Sequence, residues 1–210
     1  MPSHVLAYPR PSPISRHSLN RATWLGICSL VTILGCGGRQ ASAPNTEPDP
    51  VAPRVLPLAN VFQVETAGPS PPDTSVTFTT GSPRNIVLYH SGESIAFARL
   101  AFDAAAFGDS GQTVQVEIQP RPGLYGLDFT TSVPLRPGMA AVTFVYGRYF
   151  TAPARARQVY GSDVGFEREL AVGRVLPNNQ VELLPSSRPA ADNLRATLPS
   201  AGSYIMAAPQ

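Results

Sequence analysis

The chain has 210 residues, of which 43% are hydrophobic and 14% charged, and it contains 23 prolines and 17 glycines. This composition is too apolar for a wholly disordered protein, and it is typical of many short strands joined by tight turns. The net charge of +2 comes from 16 arginines without any lysine; without Arg10, Arg16 and Arg21, 16 − 3 = 13 arginines stand against 14 acidic residues. No basic face is implied, which excludes the electrostatic footprint of a nucleic-acid binder.

The N-terminal segment has the pattern of a secretory signal. Three arginines and His17 precede a 12-residue apolar run, WLGICSLVTILG, at positions 24–35. A bilayer-spanning helix needs about 20 apolar residues, so this run is too short for an ordinary transmembrane helix. A positive region, a short apolar region and a small residue at the end predict a cleaved signal peptide over residues 1–35.

The end of the apolar run, Ile33-Leu34-Gly35-Cys36, resembles the bacterial lipobox. The resemblance implies cleavage before Cys36 and acyl chains on that cysteine, which attach the protein to a membrane. Cys28 would leave with the signal peptide, so the mature protein would form no internal disulfide. Plain secretion, with Cys36 in place by chance, and an uncleaved anchor remain the alternatives.

A proline-rich tether is predicted over residues 36–54, beginning with the lipidated Cys36. Its sequence after the cysteine, GGRQASAPNTEPDPVAPR, is small and polar and cannot bury a core. At about 3.1 Å per residue in polyproline II, it reaches roughly 55 Å. The residue after Cys36 is Gly37, whereas an aspartate there would resemble an inner-membrane retention signal. If the host has an outer membrane, the expected location is therefore the outer membrane or the cell surface.

From residue 55 to the end, apolar residues recur with the period of two that marks β-strands. The alternation is cleanest where Val114, Val116 and Ile118 face one side and Gln115 and Glu117 the other. The predicted strands are 76–80, 86–90, 95–103, 114–119, 127–131, 141–149, 170–176, 181–184, 194–198 and 203–207.

The turn signals between these strands favour an antiparallel β-sandwich, immunoglobulin-like or related, with little helix. A turn or two of helix is expected near Phe107 or over residues 162–169. The body, 55–210, is predicted as one domain, with two packed halves, about 55–153 and 154–210, as the alternative.

Three segments resemble the β-sandwich domain shared by zonula occludens proteins, netrin receptors and ankyrins. They are LAFDAAAF at 100–107, the strand at 114–118 and VTFVYGRYFTAP at 142–153. In that family a Pro-Gly corner stands where this chain has Asp103-Ala104-Ala105-Ala106. The resemblance implies an interaction module without active-site residues.

Catalytic and metal-binding patterns are missing from the sequence of the predicted mature chain. His90 is its only histidine, so there are too few ligands for the usual zinc sites. A Ser-His-Asp triad would have to use His90 as its base. Ser94, in GESIA, fails the G-x-S-x-G pattern. Glu167 and Glu169 are interpreted as a solvated edge. We therefore predict no enzyme, no cofactor and no metal.

The aromatic residues around position 146 are the best candidates for contact with a ligand or partner. If they are exposed, Tyr125, Tyr149 and Phe150 would contact a sugar or a protein. The favoured interpretation instead places Phe144 and Tyr146 in the core, with Tyr149 and Phe150 closing its end. Tyr204 resembles the corner tyrosine of sandwich domains, whose hydroxyl bonds to nearby backbone. The leading hypothesis is a lipid-anchored, non-catalytic envelope protein with an unknown protein partner. A glycan- or small-ligand-binding module is the alternative.

Overall fold

The computed structural model describes residues 54–210, and the predicted signal peptide, Cys36 and the tether up to residue 53 lie outside this range. Within it, thirteen strands and two short helices alternate with turns. The strands are β1 Arg54–Pro57, β2 Val61–Gln63, β3 Thr74–Thr79, β4 Arg84–Tyr89, β5 Ala96–Phe102, β6 Thr113–Pro120, β7 Gly126–Thr131, β8 Ala140–Val145, β9 Ala171–Leu176, β10 Gln180–Leu184, β11 Ser186–Ser187, β12 Asn193–Leu198 and β13 Gly202–Pro209.

The strands form two antiparallel sheets, which confirms the predicted all-β sandwich. The larger sheet has the order β1-β10-β9-β13-β7-β6-β3, with β2 also paired to β13, and the smaller one has the order β11-β12-β8-β5-β4. β13 lies inside the larger sheet, where it pairs with β2, β7 and β9. Because β12 pairs with β8 of the smaller sheet, residues before and after position 154 share both sheets.

The core lies between the two sheets and is filled by large side chains from both. Leu100 and Phe102 of β5 in the smaller sheet and Leu127 and Phe129 of β7 in the larger are all buried. The rings of Phe102 and Phe129 meet edge to face with centroids 6.3 Å apart. β6 alternates buried and exposed along its whole length, as its sequence pattern predicts. Burial of alternate positions is what fixes the register of such strands.

A second, smaller apolar cluster lies on the other face of the larger sheet. It includes Val61, Val181 and Ile205, with Leu56 and Leu58 packed against it. β13 is thus buried on both faces. Tyr204 and Met206 belong to the main core, and Ile205 between them belongs to the smaller cluster.

Two helices come after β8, the central strand of the smaller sheet, in the chain. They are α1 over Ala154–Tyr160 and α2 over Asp163–Arg168. α1 ends at Gly161, whose φ of 75° is left-handed and favours glycine. The Ser162 hydroxyl accepts a hydrogen bond from the Gly165 amide and caps α2. α2 was expected, but α1 was not. Within residues 54–210, neither helix is long and apolar enough to cross a membrane.

Candidate functional site

Tyr125 does not belong to any contact surface, contrary to the hypothesis of an exposed aromatic group. Its side chain is fully buried. The ring stacks on Phe97 with centroids 5.6 Å apart, and the hydroxyl donates to the Tyr146 carbonyl oxygen at 3.0 Å. Tyr125 lies directly before β7, and its ring belongs to the core between the sheets.

Tyr149 and Phe150 are half-buried and contact different neighbours. β8 ends at Val145, earlier than predicted, and both residues lie in the loop that follows. The Phe150 ring stacks on Phe166 of α2 at 6.2 Å, so it closes the end of the core. The Tyr149 ring instead meets His90 edge to face at 4.8 Å. The three predicted contact residues therefore do not form one exposed aromatic surface.

His90 follows β4 and is 1% exposed. Its Nδ1 lies 2.8 Å from the Pro69 carbonyl oxygen, and its ring packs against Phe97. Among residues 54–210, no hydrogen-bond partner reaches Nε2, although this atom is buried. The imidazole is therefore buried, and within the described residues only its Nδ1 has a hydrogen-bond partner.

Glu93 lies beside His90 in the turn that joins β4 to β5. One carboxylate oxygen, Oε1, accepts a hydrogen bond of 2.5 Å from the Tyr149 hydroxyl. The other oxygen, Oε2, is buried, and no partner for it lies within the described residues. The Arg148 guanidinium lies 5.6 Å from the Tyr149 ring centroid and close enough to Glu93 for the two charges to interact. Sequence analysis missed Glu93, since a glutamate after Ser-Gly predicts only an exposed turn.

An open cavity of about 380 Å³ lies against this group of residues. His90 and Glu93 line it, together with Tyr89, which is 48% exposed. Pro71 and Pro72 also line it. Ligand sites typically have volumes of about 300–1,000 Å³ and combine apolar walls with a few polar groups. The volume of the cavity lies within this range.

The His90 ring is closely packed against the chain before β3. A Cβ on Gly68 would lie 2.5 Å from the Tyr149 ring and 2.8 Å from His90 Cε1, so a larger residue there would force these rings to move. The Ser91 hydroxyl donates to the Ser70 carbonyl oxygen at 2.5 Å. The segment before β3 is thereby joined to the turn after β4.

The other residues considered as catalytic or metal-binding candidates are not arranged as a catalytic or metal site within residues 54–210. No side-chain hydrogen bond between residues 54 and 210 joins His90 to Ser94 or to a carboxylate. Glu167 lies in α2 and not on a strand, and its Oε1 accepts from the Tyr146 hydroxyl at 2.7 Å. Across the described range, no three His, Cys, Asp or Glu residues are grouped to hold a metal ion.

Two buried tyrosines have structural roles. The Tyr204 hydroxyl donates to the Ser200 carbonyl oxygen at 2.6 Å, which confirms the predicted corner tyrosine. For Tyr146, desolvation by burial and the hydrogen bond to the Glu167 carboxylate raise the pKa to about 12. Both effects favour the neutral phenol, which keeps its proton and donates a hydrogen bond to the carboxylate.

Comparison of the chain with protein-family models, with curated proteins and with solved structures yields no significant match.

Proposed function

We propose that the chain is a lipid-anchored, non-catalytic envelope protein whose β-sandwich acts as a structural or protein-interaction module. The observation that carries this proposal is the sequence Ile33-Leu34-Gly35-Cys36 at the end of a short apolar run. A cysteine at that place receives acyl chains, whereas the 12-residue run before it cannot span a bilayer. The outer membrane or cell surface is its location if the host has an outer membrane.

Acyl chains provide an attachment of the required strength. Each buried CH₂ contributes about 0.8 kcal/mol, and although one chain binds only marginally, two or three bind stably. The tether after Cys36 ends where β1 begins at Arg54, which is paired with Leu183 in the larger sheet. A reach of roughly 55 Å would hold the sandwich off the lipid surface, where it could meet other envelope proteins.

The α1–α2 hairpin is the best candidate for a protein contact. Val159 in α1 is 54% exposed and Val164 in α2 is 57% exposed. Arg155 and Gln158 are exposed on the same helix as Val159. These two valines are the most exposed of the large apolar side chains within residues 54–210, and we place the contact there.

The anchor is tested by the mass and membrane association of the mature protein. Expressed in a bacterium, the wild type should begin at Cys36, carry the mass of its acyl chains and partition into detergent. Cys36→Ser should lose all three properties. Cys28→Ser is the matched control, because that cysteine leaves with the signal peptide, and it should behave as the wild type. An unmodified Cys36, or a mature chain that begins elsewhere, would contradict the proposal.

The contact is tested by cross-linking in intact cells followed by purification in detergent. The wild type should yield a defined cross-linked species that Val159→Ser combined with Val164→Ser removes. Val55→Ser, at an exposed apolar site in β1, is the control and should leave the species unchanged. If Cys36→Ser protein fractionates with membranes and forms the same species, anchoring does not serve this contact.

A further inference from the structure

A second open cavity, of about 850 Å³, lies where three loop segments meet. One segment follows β2, one precedes β7, and the third follows β8 and leads into α1. Leu124, Tyr149 and Pro153 supply large apolar side chains to the lining, and Glu65 and Arg157 are its two charged residues. A cavity of this volume accommodates several residues of an extended peptide.

The tether joins the body near the other end of α1. Burial and the Glu169 carboxylate raise the pKa of the Tyr160 phenol, whereas the Arg54 guanidinium lowers it, so the Arg54 side chain lies near the last residue of α1. Ala154, the first residue of α1, lines the cavity. The helix has 7 residues and is about 10 Å long at 1.5 Å per residue. In polyproline II, three or four residues cover about this distance, so the residues before Arg54 are able to reach the cavity.

The sequence before Arg54 is suited to such a cavity. It reads TEPDPVAP at positions 46–53. If residues 51–53 span the length of α1, Pro48, Asp49 and Pro50 arrive at the lining. Alternate prolines favour polyproline II, which loses little entropy on binding and docks in grooves lined by aromatic rings. Tyr149 provides such a ring.

The charges of the cavity favour one placement of this segment. The Arg157 side chain is 48% exposed and pairs with Asp163 at 2.5 Å, and its guanidinium has donors for a second carboxylate. Arg157 also lies on α1, between the cavity and the place where Arg54 enters. Glu65, on the loop after β2, repels an acidic residue. Asp49 is therefore expected beside Arg157 and away from Glu65.

We propose that residues 48–50 of the tether dock in the 850 Å³ cavity of the same chain. The two prolines pack on Tyr149 and Pro153, and Asp49 pairs with Arg157. Docking leaves residues 37–47 as the free part of the tether, which reach about 34 Å in polyproline II. The contact thus determines how far the sandwich lies from the lipid surface. It goes beyond the proposed anchoring role, and the contact itself does not require acyl chains.

Pairs of cysteines measure this contact in the predicted mature chain, residues 36–210. With Cys36→Ser this chain has no other thiol. Glu47→Cys, next to the docked residues, is combined with Ala67→Cys or Ala154→Cys at the cavity. The control combines it with Val159→Cys, which is exposed and does not line the cavity.

The control position is at least as accessible to a tether without a preferred site. Val159 is closer than Ala154 along α1 to Tyr160, where the tether enters. Equilibration in glutathione buffers gives the effective concentration of each thiol pair, which is in the millimolar range for short flexible linkers. We expect one of the two cavity pairs to exceed the Val159 pair at least tenfold.

Variants of the tether then assign the preference to the docked residues. Pro48→Gly combined with Pro50→Gly should lower the cavity pair to the level of the Val159 pair. Asp49→Asn should lower it about two- to fivefold, which is the range for an exposed ion pair. Pro44→Gly is the matched control, because it loosens the same tether outside the docked residues, and it should leave the value unchanged.

Three results would overturn the proposal. The first is that neither cavity pair exceeds the Val159 pair. The second is that the preference survives Pro48→Gly combined with Pro50→Gly. The third is that the disulfide joins two chains, seen as a dimer on a non-reducing gel, which would assign the cavity to the tether of a second copy.

Discussion

Replacement of Tyr146 with phenylalanine removes a single hydroxyl that joins the sandwich to α2. The side chain is 1% exposed, and its hydroxyl lies 2.7 Å from Glu167 Oε1 and 3.1 Å from the Ala191 carbonyl oxygen. A hydrogen bond to a charged acceptor contributes about 1.5–3 kcal/mol to stability. We therefore expect Tyr146→Phe to lower the free energy of unfolding at pH 7 by about 2 kcal/mol.

The difference should disappear at high pH. Unfolding returns the phenol to its ordinary pKa near 10, whereas burial and the Glu167 carboxylate raise the pKa of Tyr146 to about 12 in the folded protein. Between pH 10 and 12 the folded state thus binds more protons than the unfolded state, so stability falls as the pH rises. Two pKa units correspond to about 2.7 kcal/mol of stability, which the wild type loses as the pH rises. Tyr146→Phe has no hydroxyl to titrate at this position, so it does not lose this stability.

Urea unfolding followed by circular dichroism at several pH values between 7 and 12 measures both effects. Burial also raises the pKa of Tyr125 and of Tyr204, but these titrations are common to both proteins and cancel in the difference. Tyr146→Phe, Glu167→Gln and the double variant together form a double-mutant cycle, which gives the interaction energy between the two side chains. The reasoning is refuted if Tyr146→Phe is within about 0.5 kcal/mol of the wild type at pH 7, which is the ordinary range for a surface change. A difference that stays constant up to pH 12 refutes the assignment of the raised pKa.

Three further substitutions test the fold by thermal and urea unfolding. Phe166→Ala removes a fully buried ring of α2 and should cost about 3–5 kcal/mol; a cost under about 1 kcal/mol would show that α2 is not part of the core. Tyr204→Phe loses the bond to Ser200 and should cost about 1 kcal/mol, whereas an unchanged midpoint would deny the corner a role. Gly173→Ala places a Cβ 2.5 Å from Val181 Cγ1 and should cost about 1–3 kcal/mol; a stable variant would mean that the larger sheet is less tightly packed than described.

The strands were predictable where burial repeats along the chain with a short period. Val114, Val116 and Ile118 are fully buried and alternate with polar residues, so β6 is visible from the sequence alone. Short edge strands lack this signal. β11 has two residues and β1 has four, and each is a strand because it pairs with a neighbour.

The candidate site could not be predicted because its features depend on contacts that are distant in sequence. His90 and Tyr149 are far apart in the chain but their rings are in contact, and this contact buries the imidazole. Pro69, which accepts from His90, belongs to a third segment. Tyr125 was assigned to the surface since nothing in its neighbours Leu124 and Gly126 marks the start of a buried strand.

The position of β13 within the larger sheet also determines the order in which the molecule can assemble. The strand is the last of the thirteen to leave the ribosome, yet it separates β9 from β7, so these two cannot take their final places before it arrives. Pairing between residues far apart in sequence makes folding slow. Until synthesis reaches β13, the edges of β7 and β9 that it covers stay unpaired, and unpaired strand edges are prone to pairing with other chains.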